Sequence, residues 1–183
     1  MAKGVPAIIL AAGASSRLGQ PKAIVKWNGE SLVARSTRIL SESGCSPIFV
    51  VTRSELQVDV MLECDGAIVV VNPLPKEGRT GSLQIGLIAL ISELGRTPRR
   101  VIVSPVDRCG WNSQTVEALF ECHENTSPKP SGHPLMLCEI DEILSLPKDA
   151  SLRDSITISK ISAPGEHMNL SLIHISEPTR LPG

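Results

Sequence analysis

The sequence predicts one doubly wound α/β domain, a three-layer sandwich in which helices cover both faces of a mostly parallel sheet. Two observations lead to this prediction. Short continuous apolar runs alternate with longer amphipathic segments, which is the pattern of parallel strands buried on both faces. The chain has 183 residues and is 42% hydrophobic, which is enough for one sizeable core and hardly enough for two. We therefore expect one domain with one main site.

Four apolar runs have the length and composition of buried strands. They cover residues 5–11, 48–52, 67–71 and 101–104. Strand and helix alternate several times along the chain, which requires right-handed crossovers between parallel strands. Ligands of such sheets bind beyond the carboxyl ends of the strands, so functional residues are expected just after each run.

Three segments place apolar side chains on one helical stripe, and they cover residues 31–43, 80–94 and 112–123. Ser31 can cap the first helix, because its hydroxyl can accept a hydrogen bond from a free N–H of the first turn. Gly44 can end that helix, since glycine readily adopts the left-handed conformation found after a last helical turn.

Charge and aromatic content argue against a protein that binds a polymer. The chain has 18 basic and 19 acidic residues, so its formal net charge of -1 creates no global positive field for nucleic acid or an anionic membrane. Aromatic residues make up only 2%, which leaves few rings to stack on bases. No apolar run is long enough to span a bilayer or reads as a signal peptide. We expect a cytoplasmic protein without nucleic-acid or membrane partners.

Cysteine and histidine patterns exclude two further kinds of site. The five cysteines contain no Cys-x-x-Cys pair, and their odd number suits a reducing compartment, so free thiols are expected. The four histidines are dispersed without zinc-ligand spacing. Ser15 and Ser16 have no accompanying histidine and aspartate pattern, which leaves acyl-transfer chemistry without support.

The most informative segment, residues 10–22, directly follows the first predicted strand and reads Leu-Ala-Ala-Gly-Ala-Ser-Ser-Arg-Leu-Gly-Gln-Pro-Lys. Gly13 and Gly19 permit close approach of the main chain, so that N–H groups can point at phosphate oxygens. Arg17 and Lys22 would add positive charge to this cradle. The spacing matches neither the P-loop nor the Gly-x-Gly-x-x-Gly fingerprint. The alternative is an ordinary Gly/Ser-rich turn with two solvated cations.

The pattern Leu-Ala-Ala-Gly-x-Ser-x-Arg-x-Gly-x-x-Lys resembles the signature loop of NTP transferases that make molybdopterin dinucleotides, the molybdenum cofactor cytidylyltransferases and guanylyltransferases. Its Ala-Ala-Gly sequence is similar to that of the cytidylyltransferases, which favours CTP over GTP as the nucleotide. The resemblance implies a nucleotide-diphospho-sugar transferase-like fold, and it implies that Arg17 and Lys22 bind the triphosphate and act in catalysis. It further implies that the nucleotide lies against the backbone of Leu10, Ala11, Ala12 and Gly13.

A second part of the chain is similar to the same family. Asn72 and the sequence Glu-Gly-Arg-Thr-Gly-Ser-Leu at residues 77–83 resemble the segment in which a glycine-rich loop opens a helix. Because helix N-termini carry free N–H groups and partial positive charge, Gly81 and Ser82 are expected to bind the nucleotide. The resemblance implies the same role for Asn72. The alternative is a plain helix entry with Thr80 or Ser82 as the N-cap.

Asp107 is the predicted magnesium ligand and a predicted catalytic residue, because it lies three residues beyond the strand at 101–104. Mg²⁺ prefers oxygen ligands and takes one or two carboxylates together with substrate phosphates. The resembling family has proline two residues after this aspartate, where this chain has Cys109. A plain loop aspartate or helix cap is the alternative, and Arg108 could pair with Asp107 and weaken metal binding.

The sequence Ser-Gly-His-Pro-Leu-Met-Leu at residues 131–137 resembles a Gly-His-Pro strand entry found among the cytidylyltransferases. His133 is therefore assigned to the acceptor pocket. The alternative is a neutral structural imidazole bonded to backbone.

The resemblance ends near residue 170. We expect residues 1–170 to form the nucleotidyltransferase domain, truncated at its C-terminus, and residues 171–183 to be a non-native tail that resembles translated sequencing-adapter text. A divergent strand is the alternative. In the family an Asn or Asp of this region helps to hold magnesium, so Asn169 is the expected second metal ligand.

The resemblance implies a Mg²⁺-dependent enzyme that transfers CMP from CTP to a phosphorylated acceptor, molybdopterin, and releases pyrophosphate. It also implies a molybdenum hydroxylase or its chaperone as a delivery partner. Two alternatives stay open: an NTP transferase that acts on a sugar or polyol phosphate, and a nucleotide-binding module that has lost catalysis.

Overall fold

The computed structural model describes residues 4–13 and 21–168. Within them the strands are β1 (Ala7–Ala11), β2 (Lys26–Trp27), β3 (Glu30–Ser31), β4 (Ile48–Thr52), β5 (Ile68–Val71), β6 (Val101–Pro105), β7 (Thr126–Lys129), β8 (Leu135–Leu137) and β9 (Ser159–Ser162). The α-helices are α1 (Leu32–Glu42), α2 (Gln57–Glu63), α3 (Arg79–Leu94), α4 (Ser113–Leu119), α5 (Ile140–Leu144) and α6 (Leu152–Ser155). None of these helices is long and apolar enough to cross a lipid bilayer.

Seven strands form the main sheet in the order β5-β4-β1-β6-β8-β7-β9. β1 lies between β4 and β6 and is parallel to both, and β4 is parallel to β5. β8 is antiparallel to its neighbours β6 and β7, whereas β9 is parallel to β7. The chain therefore winds outward from β1 in one direction and then returns to its other side, which confirms the predicted doubly wound, mostly parallel sheet.

Helices cover both faces of the sheet and give the predicted three layers. Along β1, Ile8 and Ile9 point to opposite faces, as successive strand residues must. Ile9 belongs to the core that α1, α2 and α4 cover, and Ile8 belongs to the core under α3 and α5. Both side chains are fully buried, so the central strand has no solvent-facing side.

Local signals fix the ends of α1 as predicted. The Ser31 hydroxyl accepts a hydrogen bond from the N–H of Ala34 at 3.2 Å. Gly44 follows the helix with a φ of 100°, a conformation that favours glycine.

The alternative in which Thr80 or Ser82 caps α3 is not found, since no side chain caps this helix. The Thr80 hydroxyl donates to the carbonyl of Ala150 at 2.7 Å, and the Ser82 hydroxyl accepts from the Asn72 amide at 2.9 Å. Both hydroxyls thus form hydrogen bonds with residues outside the helix and do not cap its N-terminus.

The helix α4 is shorter than the predicted segment 112–123. Asn112 caps its start by accepting hydrogen bonds from two N–H groups of the first turn. The early end follows from Arg100, whose guanidinium donates to the carbonyls of Phe120 and Cys122 at 2.6 and 2.9 Å. Those carbonyls are satisfied without further helix, because a side chain replaces the missing N–H donors.

The helix α3 packs tightly on the sheet at Gly86. A Cβ atom there would lie 2.9 Å from Cγ2 of both Ile8 and Val51, so only glycine permits this approach. The helix begins after β5, and its N-terminus therefore lies at the carboxyl edge of the sheet.

The five cysteines are free thiols, as predicted. Burial raises the pKa of Cys45 to about 12 and that of Cys64 to about 11. These thiols therefore stay protonated near neutral pH.

Candidate active site

A cavity of about 160 Å³ opens at the carboxyl ends of β1 and β6. The winding direction of the sheet reverses between these neighbouring strands, which is the place where doubly wound sheets bind their ligands. The N–H of Val106 donates to the carbonyl of Leu10 at 2.9 Å, so the two strand ends stay joined below the cavity. The lining comes mainly from chain segments within residues 10–13, 75–82 and 105–107.

The cavity brings together most of the residues predicted for nucleotide and metal binding. Those that line it are Leu10, Ala11, Ala12, Gly13, Lys22, Ser82 and Asp107. Arg17 and Asn169 lie outside the described residues, so their assignments stay predictions. Segments separated by up to 97 residues in sequence thus meet at one edge of the sheet. They do so because each follows a parallel strand or forms the first turn of α3.

Lys22 and Asp107 form an ion pair at the centre of this lining. The Lys22 Nζ lies 3.2 Å from Asp107 Oδ2, and the Asp107 side chain is only 4% exposed. Arg108 instead approaches Nε2 of His167 at 3.5 Å. The structure therefore places a buried carboxylate and a lysine ammonium together in the cavity that residues 10–13 also line.

The oxygen donors of Asp107 are of the kind that a magnesium ion takes together with phosphate oxygens. Across the described part of the chain, no three His, Cys, Asp or Glu side chains form a group that could hold a metal by themselves. Magnesium commonly takes one or two carboxylates and completes its shell with phosphate oxygens and water. Asp107 can supply such a carboxylate, and the cavity beside it can admit phosphate.

Asn72 and Gly81 lie behind the cavity rather than in its lining. The Asn72 side chain is buried, and it donates to Ser82 and accepts from the N–H of Leu74 at 2.8 Å. The N–H of Gly81 donates to the carbonyl of Lys148 at 3.1 Å. In this structure Asn72 orients Ser82, and the Gly81 donor is engaged by protein.

The loop after Asp107 is held by an arginine that sequence patterns did not single out. The Arg35 guanidinium of α1 lies between the chain's two indole rings, 5.2 Å from the centroid of Trp27 and 5.9 Å from that of Trp111. It donates to the Trp111 carbonyl at 2.8 Å, and the Trp111 indole N–H donates to the Arg108 carbonyl at 2.6 Å. These contacts fix the backbone that carries Asp107.

The segment 164–168 packs on the same loop from the other side. The N–H of Glu166 donates to the Gly110 carbonyl at 2.7 Å, and a Cβ atom at Gly110 would collide with the Glu166 carbonyl. Cys109, which replaces the proline of the resembling family, is buried with its Sγ 3.4 Å from Sδ of Met168. The departure from the family pattern is thus accommodated by packing.

Replacing Arg35 with alanine is expected to lower the free energy of unfolding by about 2 kcal/mol, since two cation–π contacts and a charged hydrogen bond to backbone are lost. Arg38, one turn further on the same helix, is the matched control, because its ion pairs with Glu30 and Glu42 lie at the surface. Arg38→Ala should cost about 0.5 kcal/mol. Urea denaturation measures both values, and equal losses would contradict the assigned role of Arg35.

A second cavity of about 300 Å³ adjoins the first and shares Leu10, Arg79 and Pro105 with it. His133 lines this second cavity and is only 6% exposed. Its Nδ1 has no hydrogen-bond partner among the described residues. A hydrogen bond from this atom to the backbone therefore does not hold the ring in position.

The surroundings of His133 keep its imidazole neutral. Burial is the largest cause that lowers its pKa, to about 3, and the positive charges of Arg108, Arg153 and Arg79 act in the same direction. Asp107 opposes them more weakly. Near neutral pH, His133 therefore offers a neutral ring to the second cavity and no positive charge.

Arg79 and Arg153 line the cavities but were missed as candidates. Arg79 is the first residue of α3 and has no acidic neighbour in the first turn. A cation at a helix N-terminus opposes the helix dipole, and this unfavourable placement is a sequence signal of a functional arginine. Arg153 lies in the short helix α6 and carries no comparable signal.

Comparison with known families identifies one that spans most of the chain. The family described as MobA-like NTP transferase domain matches residues 7–156. A curated protein of Opitutus terrae named "Probable molybdenum cofactor guanylyltransferase" is 37% identical over 59 residues, which are 32% of this chain and 29% of that protein. The matched stretch thus spans less than a third of the relative.

Solved structures share the fold at low sequence identity. Rv0371c from Mycobacterium tuberculosis H37Rv superposes with a TM-score of 0.75 and 18% identity, covering 98% of this chain and 97% of that chain. The inositol-1-phosphate CTP transferase from T. maritima has a TM-score of 0.68 and 15% identity, covering 91% and 89%. These likenesses confirm the predicted nucleotide-diphospho-sugar transferase-like fold.

Proposed function

The chain belongs to the MobA-like NTP transferase family, and from this premise we propose that it transfers CMP from CTP to a phosphorylated small molecule and releases pyrophosphate. Molybdopterin is the proposed acceptor, on the basis of the signature loop. The observation that carries the proposal is the meeting of Lys22, Asp107 and residues 10–13 in one cavity at the reversal of the sheet.

The proposed reaction is an in-line displacement at the α-phosphorus of the nucleotide. A phosphate oxygen of the acceptor forms the new O–P bond, the bond from the α-phosphorus to the bridging oxygen breaks, and pyrophosphate leaves with that oxygen. No covalent bond to protein is needed. The protein's contribution is to position the reactants and to neutralise developing negative charge.

Each lining element has a task in this reaction. The backbone at Ala12 and Gly13 would lie against the nucleotide, and the Lys22 ammonium would contact phosphate oxygens next to the reacting centre. Asp107 would hold Mg²⁺, which neutralises phosphate charge and orients the leaving pyrophosphate. The adjoining cavity with His133, Arg79 and Arg153 would receive the acceptor.

The choice of CTP rests on the Ala-Ala-Gly sequence of the loop, and the names of similar proteins point in two directions. One curated relative is named a guanylyltransferase, and one structural neighbour is a CTP transferase acting on inositol 1-phosphate. GTP is therefore the competing nucleotide, and a polyol phosphate is the competing acceptor.

Nucleotide-dependent thermal stabilisation tests the proposal directly. We expect Mg·CTP at about 100 times its dissociation constant to add roughly 2.7 kcal/mol to the stability of the folded state, because ligand binds only that state. For a chain of this size the melting temperature should rise by about 5–10 °C. ATP, GTP and UTP should give smaller shifts at the same concentration.

Asp107→Asn provides the metal control. This variant should lose the part of the CTP shift that depends on Mg²⁺, whereas Asp65→Asn, which changes an exposed carboxylate, should keep it. A larger rise in melting temperature with Mg·GTP than with Mg·CTP would mean that the nucleotide substrate is GTP. If none of the four nucleotides raised the melting temperature, the proposed function would be wrong. If pyrophosphate were released equally from all four, the proposed specificity for CTP would be wrong.

A further inference from the structure

We propose a second anion site beyond the acceptor cavity, which holds an anionic group of the acceptor remote from the phosphate that reacts. It is a cavity of about 330 Å³ lined by Arg108, Lys129, Arg153, Lys160 and His167. The substrate class that follows, resting on the proposed function, is a small acceptor with two anionic groups rather than a polyol monophosphate.

The cationic side chains come from elements that the fold brings together. Arg108 follows Asp107 after β6, Arg153 lies in α6, and Lys129 and Lys160 lie on the paired strands β7 and β9. On that pair Lys160 stands opposite Ser127, which also lines the cavity. The cluster is therefore a product of tertiary structure and not a run of charge in the sequence.

No carboxylate in the described part of the chain balances the charges of this cavity. Its lining contains four lysine or arginine side chains and no carboxylate. Of the ion pairs formed in residues 4–13 and 21–168, none involves Arg108, Lys129, Arg153 or Lys160. The buried Nε of Arg108 also has no hydrogen-bond acceptor within those residues. Like charges held together cost free energy, and a bound dianion would offset that cost.

The cavity adjoins the one that is proposed to receive the acceptor. Arg153 lines both this cavity and the one that contains His133, and Arg79 and Leu10 in turn line both the His133 cavity and the Lys22 cavity. Each cavity thus shares lining residues with the next, so the three lie side by side. An acceptor that spans them would present its phosphate towards the nucleotide and its second anionic group towards the basic cluster.

Pyrophosphate binding without metal and without nucleotide tests the site. Equilibrium dialysis of the full chain with labelled pyrophosphate is expected to show two sites per chain, one at Lys22 and one at the basic cluster. In the double variant Arg153→Gln with Lys160→Gln the second site should weaken about tenfold, because two charge-assisted contacts become neutral. Lys22→Met should weaken only the first site.

The matched control is Arg96→Gln with Arg99→Gln, which removes the same charge from exposed residues before β6. It should retain both sites. Three results would overturn the inference: a single site in the unmodified chain that Lys22→Met abolishes, equal binding by the two double variants, or equal weakening by both. This assay contains no CTP or Mg²⁺, so its result does not depend on transferase activity. An absence of transferase activity would count against the proposed function, whereas the number of pyrophosphate sites would still test the second anion site.

Discussion

Replacing Lys22 with methionine is expected to lower turnover about a hundredfold while the chain stays folded. The ammonium lies in the lining of the cavity, 3.2 Å from Asp107, where it can neutralise charge on the transferring phosphate. Loss of one such group in a pre-organised site typically removes ~3 kcal/mol of transition-state stabilisation. Methionine keeps most of the length of the side chain and removes its charge, so the change isolates the electrostatic contribution.

Lys26→Met is the control for this variant. Lys26 lies four residues further on, its side chain is 63% exposed, and its ion pair with Glu63 lies at the surface. Pyrophosphate release at saturating Mg·CTP should be near normal in Lys26→Met. Turnover of Lys22→Met within about threefold of the unmodified enzyme would remove Lys22 from the catalytic assignment.

A double-mutant cycle with Asp107→Asn extends the measurement. Since Lys22 and Asp107 are in contact and are proposed to act on the same phosphates, the two losses should not add. The double variant is expected to be little slower than the slower single variant. Full additivity would mean that the two side chains serve independent steps.

The elements that could be predicted from sequence are those with strong local signals. The apolar runs of β1, β4, β5 and β6 are continuous, and the ends of α1 are marked by Ser31 and Gly44. The strand β8 also agrees with the predicted strand entry after His133. In each case the residues that decide the structure lie within a few positions of one another.

The missed elements depend on distant parts of the chain. β7 contains Pro128, and three of the four residues of β9 are polar. Neither reads as a strand without the other, whose paired residues lie 33 positions away in sequence. The hairpin of β2 and β3 did have a local signal. Asn28 and Gly29 both have positive φ, the Asn-Gly turn typical of short hairpins, but its two strands have only two residues each.

The residues of the candidate site also divide into those with a local sequence signal and those that depend on distant parts of the chain. Lys22 and Asp107 could be found because each follows an apolar run, and parallel strands bring their carboxyl ends to one edge. Arg35 could not be found in this way. Its partners Trp27 and Trp111 are 8 and 76 residues away, and only the packing of α1 against the loop after β6 makes the three a stack.

Acidification should destabilise the chain through His133, and this effect is the largest expected for stability. The pKa of His133 is about 3 in the folded chain, against 6.5 for an unperturbed imidazole. Between these values the unfolded chain binds a proton that the folded chain does not, so the free energy of unfolding falls as the pH drops. The contribution is fully present above pH 6.5 and is lost progressively towards pH 3, by about 1.4 kcal/mol per pH unit.

The measurement is urea denaturation at pH 7.0 and pH 4.5, where His133 alone should account for a difference of roughly 2.7 kcal/mol. Carboxylates also titrate in this range, so the value is taken as the difference between the unmodified chain and His133→Gln. His123→Gln is the control, because His123 is exposed. It should keep the full pH dependence, whereas His133→Gln should be much less sensitive to acid. If the two variants lost the same stability on acidification, the imidazole would already be charged or solvated in the folded chain. The conclusion that His133 is neutral in the proposed acceptor cavity would then be wrong.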